Sequence, residues 1–354
     1  MKVLVINPGS TSTKIAIYED DEMMFVKSIQ HTVEELAPFK HINEQYEFRK
    51  NHILQELQQS AIPLNFDAVI ARGGLLHPTP SGVYPINEKM KADLWNATML
   101  HVCNLGAQLA WDIASLIPSC RSFIADPEVV DEFDDVARLS GNPLLPRFSI
   151  FHALNHKAIS RKYAKSIHRN YEDLNLIVAH LGGGISVGAH RKGKVIDVNN
   201  ALNGEGPISP ERAGTLPADQ LVELCFSGKY TKEELKKLLN GKGGLIAHLG
   251  TGYVPAITQA AEQGDERSIL VLDAMIYTVA KEIGAMYVTL LGQVDAILLT
   301  GGIAHSEYCM SRLQKRIDYL APVVLLPGED EMGSLAFNAI GALKGELMCR
   351  EYLG

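Results

Sequence analysis

Two kinds of hydrophobic pattern alternate along the chain. Short, mainly apolar runs are typical of buried β-strands, and they fall at residues 3–6, 14–18, 66–71, 122–125, 148–151, 176–179, 185–189 and 294–299. Longer segments with apolar residues three and four positions apart predict helices, at residues 89–117, 156–165, 218–239, 267–291 and 333–347. Because strands and helices alternate, we expect an α/β fold with helices on both faces of a mixed sheet.

The two halves of the chain repeat one arrangement. Each contains a strand, a polar loop and a second strand, with the loops at residues 7–13 and 180–184. Each also contains a later strand that ends in Gly-Gly, at residues 73–74 and 301–302. We infer an internal duplication with an insertion roughly between residues 198 and 260, where the second half is longer. In duplicated α/β proteins the ligand usually lies in the cleft between the halves.

Composition and charge narrow the class of protein. The formal net charge is -8, and an acidic surface disfavours binding to nucleic acid. The five cysteines are scattered without a CxxC spacing, which argues against a zinc site or a disulfide framework and fits a reducing compartment. The first residues lack the pattern of a signal peptide, and polar residues interrupt the apolar segment 98–117. We therefore expect a soluble, cytoplasmic protein without a membrane or nucleic-acid partner.

The first loop carries the groups that bind phosphate. Residues 9–14 read Gly-Ser-Thr-Ser-Thr-Lys, so backbone N–H groups, the hydroxyls of Ser10 and Ser12, and the ammonium of Lys14 lie close together. It is not a Walker A loop, because the second glycine is missing and a strand follows. The alternative is an ordinary hairpin turn rich in serine and threonine.

The second loop consists of three consecutive glycines, Gly182, Gly183 and Gly184, which would let a ligand approach the backbone closely. His180 stands in the position that Asn7 holds in the first half. A loop histidine beside glycines can donate to an anion. The alternative is a flexible turn with a structural histidine.

Two arginines have the surroundings of anion ligands. Arg72 follows a strand and precedes Gly-Gly, so its side chain should project at the sheet edge; the matching residue in the second half is Thr300. Arg212 lies in a loop rich in glycine and proline within the insertion. A guanidinium matches both carboxylate and phosphoryl oxygens, so the pair could hold an acid and a transferring phosphoryl group. Taken singly, either arginine could lie on the surface or brace a loop.

Four further residues stand at the ends of predicted elements. Asp126 ends the strand 122–125, where it would reach the cleft or cap a following helix. His152 closes the predicted strand that precedes the helix 156–165. Glu329 and Glu331 precede the last helix, where they could orient Mg2+ through water or favour the positive end of that helix.

Together these segments resemble the acetate kinase/butyrate kinase family, within the larger group of sugar kinases, heat-shock chaperone ATPases and actin. The resemblance covers nearly the whole chain, and its motifs lie at residues 7–14, 72–74, 149–153, 180–186 and 300–303. It implies a duplicated actin-like (ribonuclease H-like) ATPase fold of two domains, each with a mixed five-stranded sheet, and a cleft between them. The length of the chain is closer to the butyrate kinases.

The resemblance also implies the domain boundaries. Residues 1–130 with 333–354 would form an N-terminal domain on the acyl and phosphoryl side. Residues 131–332 would form a C-terminal nucleotide-binding domain. The family further suggests a homo-oligomer, without identifying an interface.

Residue roles follow from the same resemblance. Arg72 and Arg212 would grip the acyl carboxylate and the phosphoryl oxygens, and His152 would donate to the phosphoryl group in the transition state. Asp126 would join these three as a catalytic residue. Mg2+ would be positioned by Asn7, Asp126 and Glu331, with Glu329 as the alternative to Glu331. ATP or ADP would be bound by Asn7, Ser10, Ser12, Lys14, His180, Gly182, Gly183, Gly184, Gly301, Gly302 and Ile303.

The activity implied is reversible, direct in-line phosphoryl transfer between ATP and a short carboxylic acid, butanoate or a near relative. A carboxylate is ionised at neutral pH and needs no general base, so the site has to neutralise charge. Gly74 stands where acetate kinases have a small apolar side chain, which would leave room for a longer acyl tail. Residues 250–255 lack the charged residues that acetate kinases use near the base.

Two other functions are consistent with a fold of this kind. In a sugar or polyol kinase of the same superfamily, Asp126 would be a general base acting on a hydroxyl. A non-catalytic, nucleotide-dependent switch would bind ATP and would not need both Arg72 and Arg212.

Overall fold

The structure, a computed structural model, describes residues 1–98 and 101–354. Residues 99 and 100, within the predicted helix 89–117, lie outside the described part. The strands are β1 (Lys2–Pro8), β2 (Ser12–Glu19), β3 (Glu22–Gln30), β4 (Ala68–Arg72), β5 (Val83–Pro85), β6 (Arg121–Ala125), β7 (Asn175–Leu181), β8 (Ile185–Arg191), β9 (Lys194–Val198), β10 (Ala296–Gly301) and β11 (Val323–Pro327).

The helices alternate with the strands along the chain. The α-helices are α1 (Val33–Leu36), α2 (Tyr46–Gln59), α3 (Glu88–Trp95), α4 (Leu105–Ser115), α5 (Ala153–Ser166), α6 (Ala218–Phe226), α7 (Lys232–Leu239), α8 (Gly244–Leu249), α9 (Val254–Glu262), α10 (Glu266–Thr289), α11 (Glu307–Ile317) and α12 (Glu331–Lys344). Short 3-10 helices lie at Ile42–Gln45, Val102–Asn104, Asp135–Arg138, Tyr171–Asp173 and Gly302–His305.

The chain divides into two compact units. The first unit contains Met1–Val130 and Asp330–Gly354, and the second contains Asp131–Glu329. The return to the first unit coincides with the start of helix α12, where the carboxylate of Asp330 accepts a hydrogen bond from the backbone N–H of Gly333.

The sheet of the first unit has the order β3-β2-β1-β4-β6-β5. Strand β1 is antiparallel to β2 and parallel to β4, which is parallel to β6. The sixth strand, β5, is a correction to the five that we expected. It is a three-residue edge strand whose Val83 lies opposite Ala125 of β6. A run this short has no readable periodicity, so only its pairing reveals it.

The central strands of this sheet are buried on both faces. Leu4 and Ile6 of β1 pack in one cluster with residues of α2, α3 and α4. Val3 and Val5 point the other way and are also fully buried, and α12 packs against the same strand. Burial on both faces explains why β1 is a continuous apolar run rather than an alternating one.

The second unit repeats the topology of the first. Its sheet has the order β9-β8-β7-β10-β11, with β7 antiparallel to β8 and parallel to β10. Strand for strand, this matches β3-β2-β1-β4-β6 in both order and direction. The repeated topology confirms the duplicated fold that the paired motifs predict. The segments α6 to α9 lie between β9 and the long helix α10, where we expected the insertion.

Three predicted elements differ from those in the structure. The segment 218–239 forms two helices, because Gly228 between them adopts a left-handed conformation with φ +71°. The described part of 89–117 likewise contains two helices, α3 and α4. The segment 148–151 is not a strand. Its carbonyl groups accept hydrogen bonds from the Asn200 side chain and the Ala201 N–H, so a loop satisfies this backbone instead of a sheet.

Within the described residues, no helix combines the length and the apolar character that crossing a membrane requires.

Candidate active site

Arg72 is the centre of a charged cluster in the first unit. It is the last residue of β4, at the sheet edge where the sequence places it. Its Nε donates to Glu128 Oε1 at 2.5 Å, and its Nη1 lies 3.1 Å from Glu331 Oε1. The other oxygen of Glu331 accepts a hydrogen bond from Asn7 Nδ2 at 2.5 Å. The structure therefore brings together three predicted site residues, Asn7, Arg72 and Glu331.

Charge balance keeps this cluster ionised. Burial by itself lowers the pKa of Arg72, but the carboxylates of Glu128 and Glu331 outweigh burial and raise that pKa above its ordinary value. Burial raises the pKa of Glu128, and the Arg72 guanidinium more than reverses this effect, so the Glu128 pKa lies below its ordinary value. Arg72 is thus a permanent cation held in place by two carboxylates. Glu128 was not among the predicted site residues, because it lies in an irregular segment after β6 that has no recognisable sequence pattern.

Asn7 and Glu331 fit a magnesium site in which only a few of the ligands come from the protein. Among the described residues, no group of three or more His, Cys, Asp or Glu side chains is arranged to hold a metal ion. Mg2+ does not need such a group, since it usually keeps several waters and binds one or two carboxylates together with substrate phosphates. The carboxylate of Glu331 and the amide oxygen of Asn7 are ligands of the kind that Mg2+ prefers.

Asp126, which we expected to be a catalytic and metal-binding residue, forms hydrogen bonds that stabilise a turn. It follows β6 in a left-handed conformation with φ +40°, and its side chain is buried. Its Oδ1 accepts hydrogen bonds from the Ser81 hydroxyl at 2.6 Å and the Gly82 N–H at 2.9 Å. No helix follows, so the helix-capping alternative is wrong. The Asp126 carboxylate holds the turn before β5, at the same sheet edge as Arg72.

The space around Gly74 corrects one expectation. Gly74 has φ +86°, and a Cβ at this position would lie 2.9 Å from Asn104 Cα and 3.0 Å from Leu94 Cδ2. The missing side chain therefore leaves no room for a longer acyl tail, because Asn104 and Leu94 already fill that volume. Glycine is required here by the backbone conformation and by close packing.

A buried arginine organises the first phosphate-type loop. The Gly9 N–H donates to the Ser12 carbonyl at 2.8 Å and closes the turn between β1 and β2. Arg49 of α2, fully buried, donates to the carbonyls of Ser10 and Ser12 at 3.2 and 2.9 Å. Burial lowers the pKa of Arg49 to about 10. The side chains of Ser10 and Lys14 are exposed, which leaves them accessible to a ligand.

Arg49 is a second residue that the sequence analysis missed, although a signal existed. It lies on the buried stripe of α2 with Tyr46, Ile53 and Leu57, at helical spacing. A charged residue on such a stripe has to find polar partners inside the protein.

In the second unit, the glycine loop after β7 is tied to the inserted segment. The carbonyl of Gly183 accepts hydrogen bonds from the Ser209 hydroxyl at 2.8 Å and the Glu211 N–H at 3.1 Å. These bonds bring Arg212 against Gly184, where a Cβ would overlap the guanidinium. Arg212 Nη1 also donates to the carbonyl of Ala201. The structure thus joins two predicted elements, the loop and Arg212, that are far apart in the sequence.

The two predicted histidines of this unit are stacked. The rings of His152 and His180 lie 3.9 Å apart between centroids, with an interplanar angle of 17°. His180 is held by Asn155 Oδ1 at 3.0 Å from Nδ1 and by Glu329 Oε1 at 3.1 Å from Nε2. Glu329 therefore contacts a histidine, whereas Glu331 belongs to the Arg72 cluster.

A cavity of about 540 Å³ lies beside this loop, within the second unit. This volume is in the range of small-molecule and cofactor sites. Four predicted nucleotide-binding residues line it, Gly182, Gly183, Gly302 and Ile303. The segment 252–255, singled out in the sequence as a base-binding loop, also lines it.

Tyr308 and Gly301 are further residues in this region of the second unit. Tyr308 lines it with a buried hydroxyl that has no hydrogen-bond partner among the described residues, so a ligand could provide one. Gly301 has a packing role, since at φ +89° a Cβ would overlap the backbone of Leu181.

The repeated topology, the cofactor-sized cavity and the arginine–carboxylate cluster are together consistent with the duplicated α/β kinase fold that the sequence predicts. The chain belongs to the acetokinase family, whose model matches residues 142–320. Family members transfer phosphoryl groups between a nucleotide and a carboxyl group, so this chain is a carboxylate phosphotransferase that uses ATP and ADP.

Two curated relatives are similar over nearly their whole length. A probable butyrate kinase of Phocaeicola vulgatus is 66% identical over 99% of this chain and 99% of its own. A probable butyrate kinase of Bacteroides thetaiotaomicron is 60% identical over 99% of this chain and 100% of its own. The crystal structure of Porphyromonas gingivalis acetate kinase covers 97% of this chain with a TM-score of 0.79 and 19% identity. The structural likeness confirms the predicted fold.

Proposed function

We propose that the protein is a butyrate kinase, which transfers the γ-phosphoryl group of ATP to butanoate or a related short-chain acid, including branched ones, and catalyses the reverse reaction. The observation that carries this proposal is Arg72, a half-buried cation fixed by Glu128 and Glu331. The relatives from Phocaeicola vulgatus and Bacteroides thetaiotaomicron are each named probable butyrate kinase, which supports a four-carbon acid.

The chemistry requires charge neutralisation rather than proton transfer. One carboxylate oxygen attacks the γ-phosphorus, the bond from phosphorus to the β,γ-bridging oxygen breaks, and ADP leaves with the electron pair. The acid is already ionised at neutral pH, so no proton moves in this step. Catalysis consists of positioning and of stabilising the charge that develops on the phosphoryl oxygens.

The main predicted residues have distinct roles in this reaction. Arg72 binds the acyl carboxylate, and Arg212 and His152 donate to phosphoryl oxygens. Asn7 and Glu331 would hold Mg2+, which neutralises charge on the nucleotide phosphates when bound. The first unit is the acyl side, and the cavity supports the second unit as the nucleotide side.

Two loops would bind the nucleotide phosphates. Ser10, Ser12 and Lys14 provide hydroxyls and an ammonium in the first unit, and the exposure of Ser10 and Lys14 supports this role. Gly182 and Gly183 allow close approach in the second unit, beside His180. Asp126 contributes indirectly, because its carboxylate holds the turn at residues 81 and 82.

The direct test is trapping of acyl phosphate with hydroxylamine, using ATP, Mg2+ and acetate, propanoate, butanoate, 2-methylpropanoate or pentanoate. We expect the rate to be highest with butanoate or its close relatives. Replacing Arg72 with alanine should lower kcat/KM by about 10²- to 10³-fold, as for loss of a donor to a transition-state oxyanion. Arg121→Ala, at an exposed position on β6 of the same sheet, is the matched control and should retain activity.

Absence of acyl phosphate from every acid, with ATP binding intact, would overturn the proposal. In that case phosphorylation of sugars or polyols should be tested, since the same fold would then act on a hydroxyl.

A further inference from the structure

A chain of hydrogen bonds runs from His152 into the interior of the second unit. His152 Nδ1 lies 2.8 Å from Ser186 Oγ, which lies 2.9 Å from His156 Nε2. His156 Nδ1 lies 3.1 Å from His190 Nε2, and His190 Nδ1 lies 2.7 Å from the hydroxyl of Tyr171. Ser186, His156 and His190 are fully buried, and Tyr171 is 3% exposed.

Two neighbouring elements place these residues in line. His152 stands immediately before α5, and His156 follows one helical turn later. Ser186 and His190 lie four residues apart on β8, so they point to the same face of the sheet. Tyr171 comes from the short 3-10 helix before β7. The chain therefore depends on the packing of α5 against the sheet.

The two inner histidines are neutral, which restricts the pattern of donors. Burial lowers the pKa of His156 and of His190 well below the ordinary value, and the nearby Lys157 adds to both effects. A neutral imidazole has one N–H donor and one acceptor nitrogen. Each link then needs one donor and one acceptor, so the two imidazoles pass the donor direction on from one neighbour to the next. The Ser186 hydroxyl can accept one bond and donate another, so a chain that runs in a single direction satisfies every link.

Tyr171 determines in which direction the hydrogen bonds of this chain are donated. A phenol, with an ordinary pKa near 10, is a stronger hydrogen-bond donor than a serine hydroxyl or a neutral imidazole. If Tyr171 donates to His190 Nδ1, then His190 donates to His156, and His156 donates to Ser186. Ser186 still carries its own hydroxyl proton, and donating this proton to His152 Nδ1 leaves the proton of the His152 ring on Nε2.

We propose that Tyr171, His190, His156 and Ser186 are positioning residues that hold His152 in the tautomer with the proton on Nε2. This inference rests on the proposed function, in which His152 donates to the transferring phosphoryl group. The Nε2–H tautomer presents a donor to that anion, whereas the other tautomer would present a lone pair and repel it. Apolar side chains could fill the same volume without buried polar atoms, so packing alone does not account for two buried imidazoles.

The test combines a spectroscopic measurement with kinetics. Two-bond ¹H–¹⁵N correlation spectra of the histidine-labelled protein report which ring nitrogen carries the proton, and the His152 signals are assigned by their loss in His152→Gln. We expect the Nε2–H tautomer in the wild type. Ser186→Ala should give a mixture of tautomers and lower kcat about tenfold to a hundredfold, with little change in the KM for either substrate.

Further variants separate positioning from folding. Ser186→Thr keeps the hydroxyl and should restore both the tautomer and kcat. Tyr171→Phe should shift the His152 tautomer in the same direction as Ser186→Ala. Tyr163→Phe, on the same helix as His156 and outside the chain of hydrogen bonds, is the control and should change neither measurement.

An Nδ1–H tautomer in the wild type would overturn the proposal, as would an unchanged tautomer in both Ser186→Ala and Tyr171→Phe. The spectra do not depend on turnover. If the wild type made no acyl phosphate, the proposed function would fail while the tautomer could still be decided.

Discussion

At the scale of single residues, the site residues were best predicted by their position at the end of a strand or the start of a helix. Asn7, Arg72 and Glu331 each stand at the end of a strand or the start of a helix, and the structure brings their side chains into one cluster. Glu128 is part of the same cluster, and its irregular segment carries no such signal. It binds both the Arg72 guanidinium and the N–H of Gly74, so it fixes the arginine relative to the glycine turn.

Glu128→Gln should test this role. The substitution keeps the shape of the side chain and removes the charge that faces Arg72. A hydrogen bond to a charged group contributes about 1.5–3 kcal/mol, so we expect the free energy of unfolding to fall by roughly that amount, as measured by urea denaturation. The KM for the acid should rise, since Arg72 loses one of the groups that orient it.

Glu88→Gln is the matched control for this prediction. Glu88 is an exposed residue of the same unit. Its ion pair with Lys91 has helical spacing, and exposed pairs of this kind contribute little to stability. Equal effects of the two substitutions would contradict a special role for Glu128.

At the scale of elements, the two hairpin loops follow one plan with different supports. A side chain from α2, Arg49, holds the loop after β1. Backbone and side-chain groups of residues 209–212 hold the loop after β7. The second arrangement leaves no space at Gly184, because the Arg212 guanidinium occupies it.

Gly184→Ala should therefore act through Arg212. The added methyl group would displace the guanidinium, so we expect kcat/KM for acyl phosphate formation to fall by about tenfold to a hundredfold. The same assay with Arg212→Ala should show that the two substitutions are not additive, since both remove one interaction.

Gly284→Ala controls for the loss of a glycine. Gly284 lies within α10, and a Cβ there would meet no atom within 4 Å. Alanine favours a helix more than glycine does, so this variant should be as stable as the wild type or more so. Full activity of Gly184→Ala would contradict the proposed clash.

At the scale of the whole molecule, each unit has its own core built on the same sheet topology. The second unit carries two fully buried histidines, His156 and His190, and the first unit carries His31, which is also buried. Neutral buried histidines couple folding to pH, because the unfolded chain binds protons that the folded chain does not.

We therefore expect the protein to lose stability on mild acidification, with contributions from His156, His190 and His31. The folded pKa of each histidine lies below the ordinary value near 6.5, so the unfolded state gains protons first as the pH falls below about 6.5. Each residue should then reduce the free energy of unfolding by about 1.4 kcal/mol per pH unit until its folded pKa is reached.

Urea denaturation monitored between pH 7.5 and pH 5.5 should show this loss. His168→Gln, which removes an exposed histidine of the same unit, should leave the slope unchanged. A midpoint that stays constant over this range would contradict burial of His156 and His190 in neutral form.

Much of this protein followed from local chemistry in the sequence. Continuous apolar runs marked the central strands because those strands are buried on both faces, and their repetition marked the duplication. The glycine and serine loops were visible because only certain residues tolerate such turns or bind phosphate. Elements without periodicity, such as β5 and the segment 148–151, could not be assigned in this way.

Only the tertiary structure decided which side chains meet. The pairing of Arg72 with Glu128, the contact between Gly184 and Arg212, and the hydrogen bonds from His152 to Tyr171 join residues separated along the chain. The volume beside Gly74 was likewise decided by packing against Asn104 and Leu94. Contacts of this kind depend on the register of the strands and on how the helices pack against the sheet. Both are determined by the whole core rather than by any local run of residues.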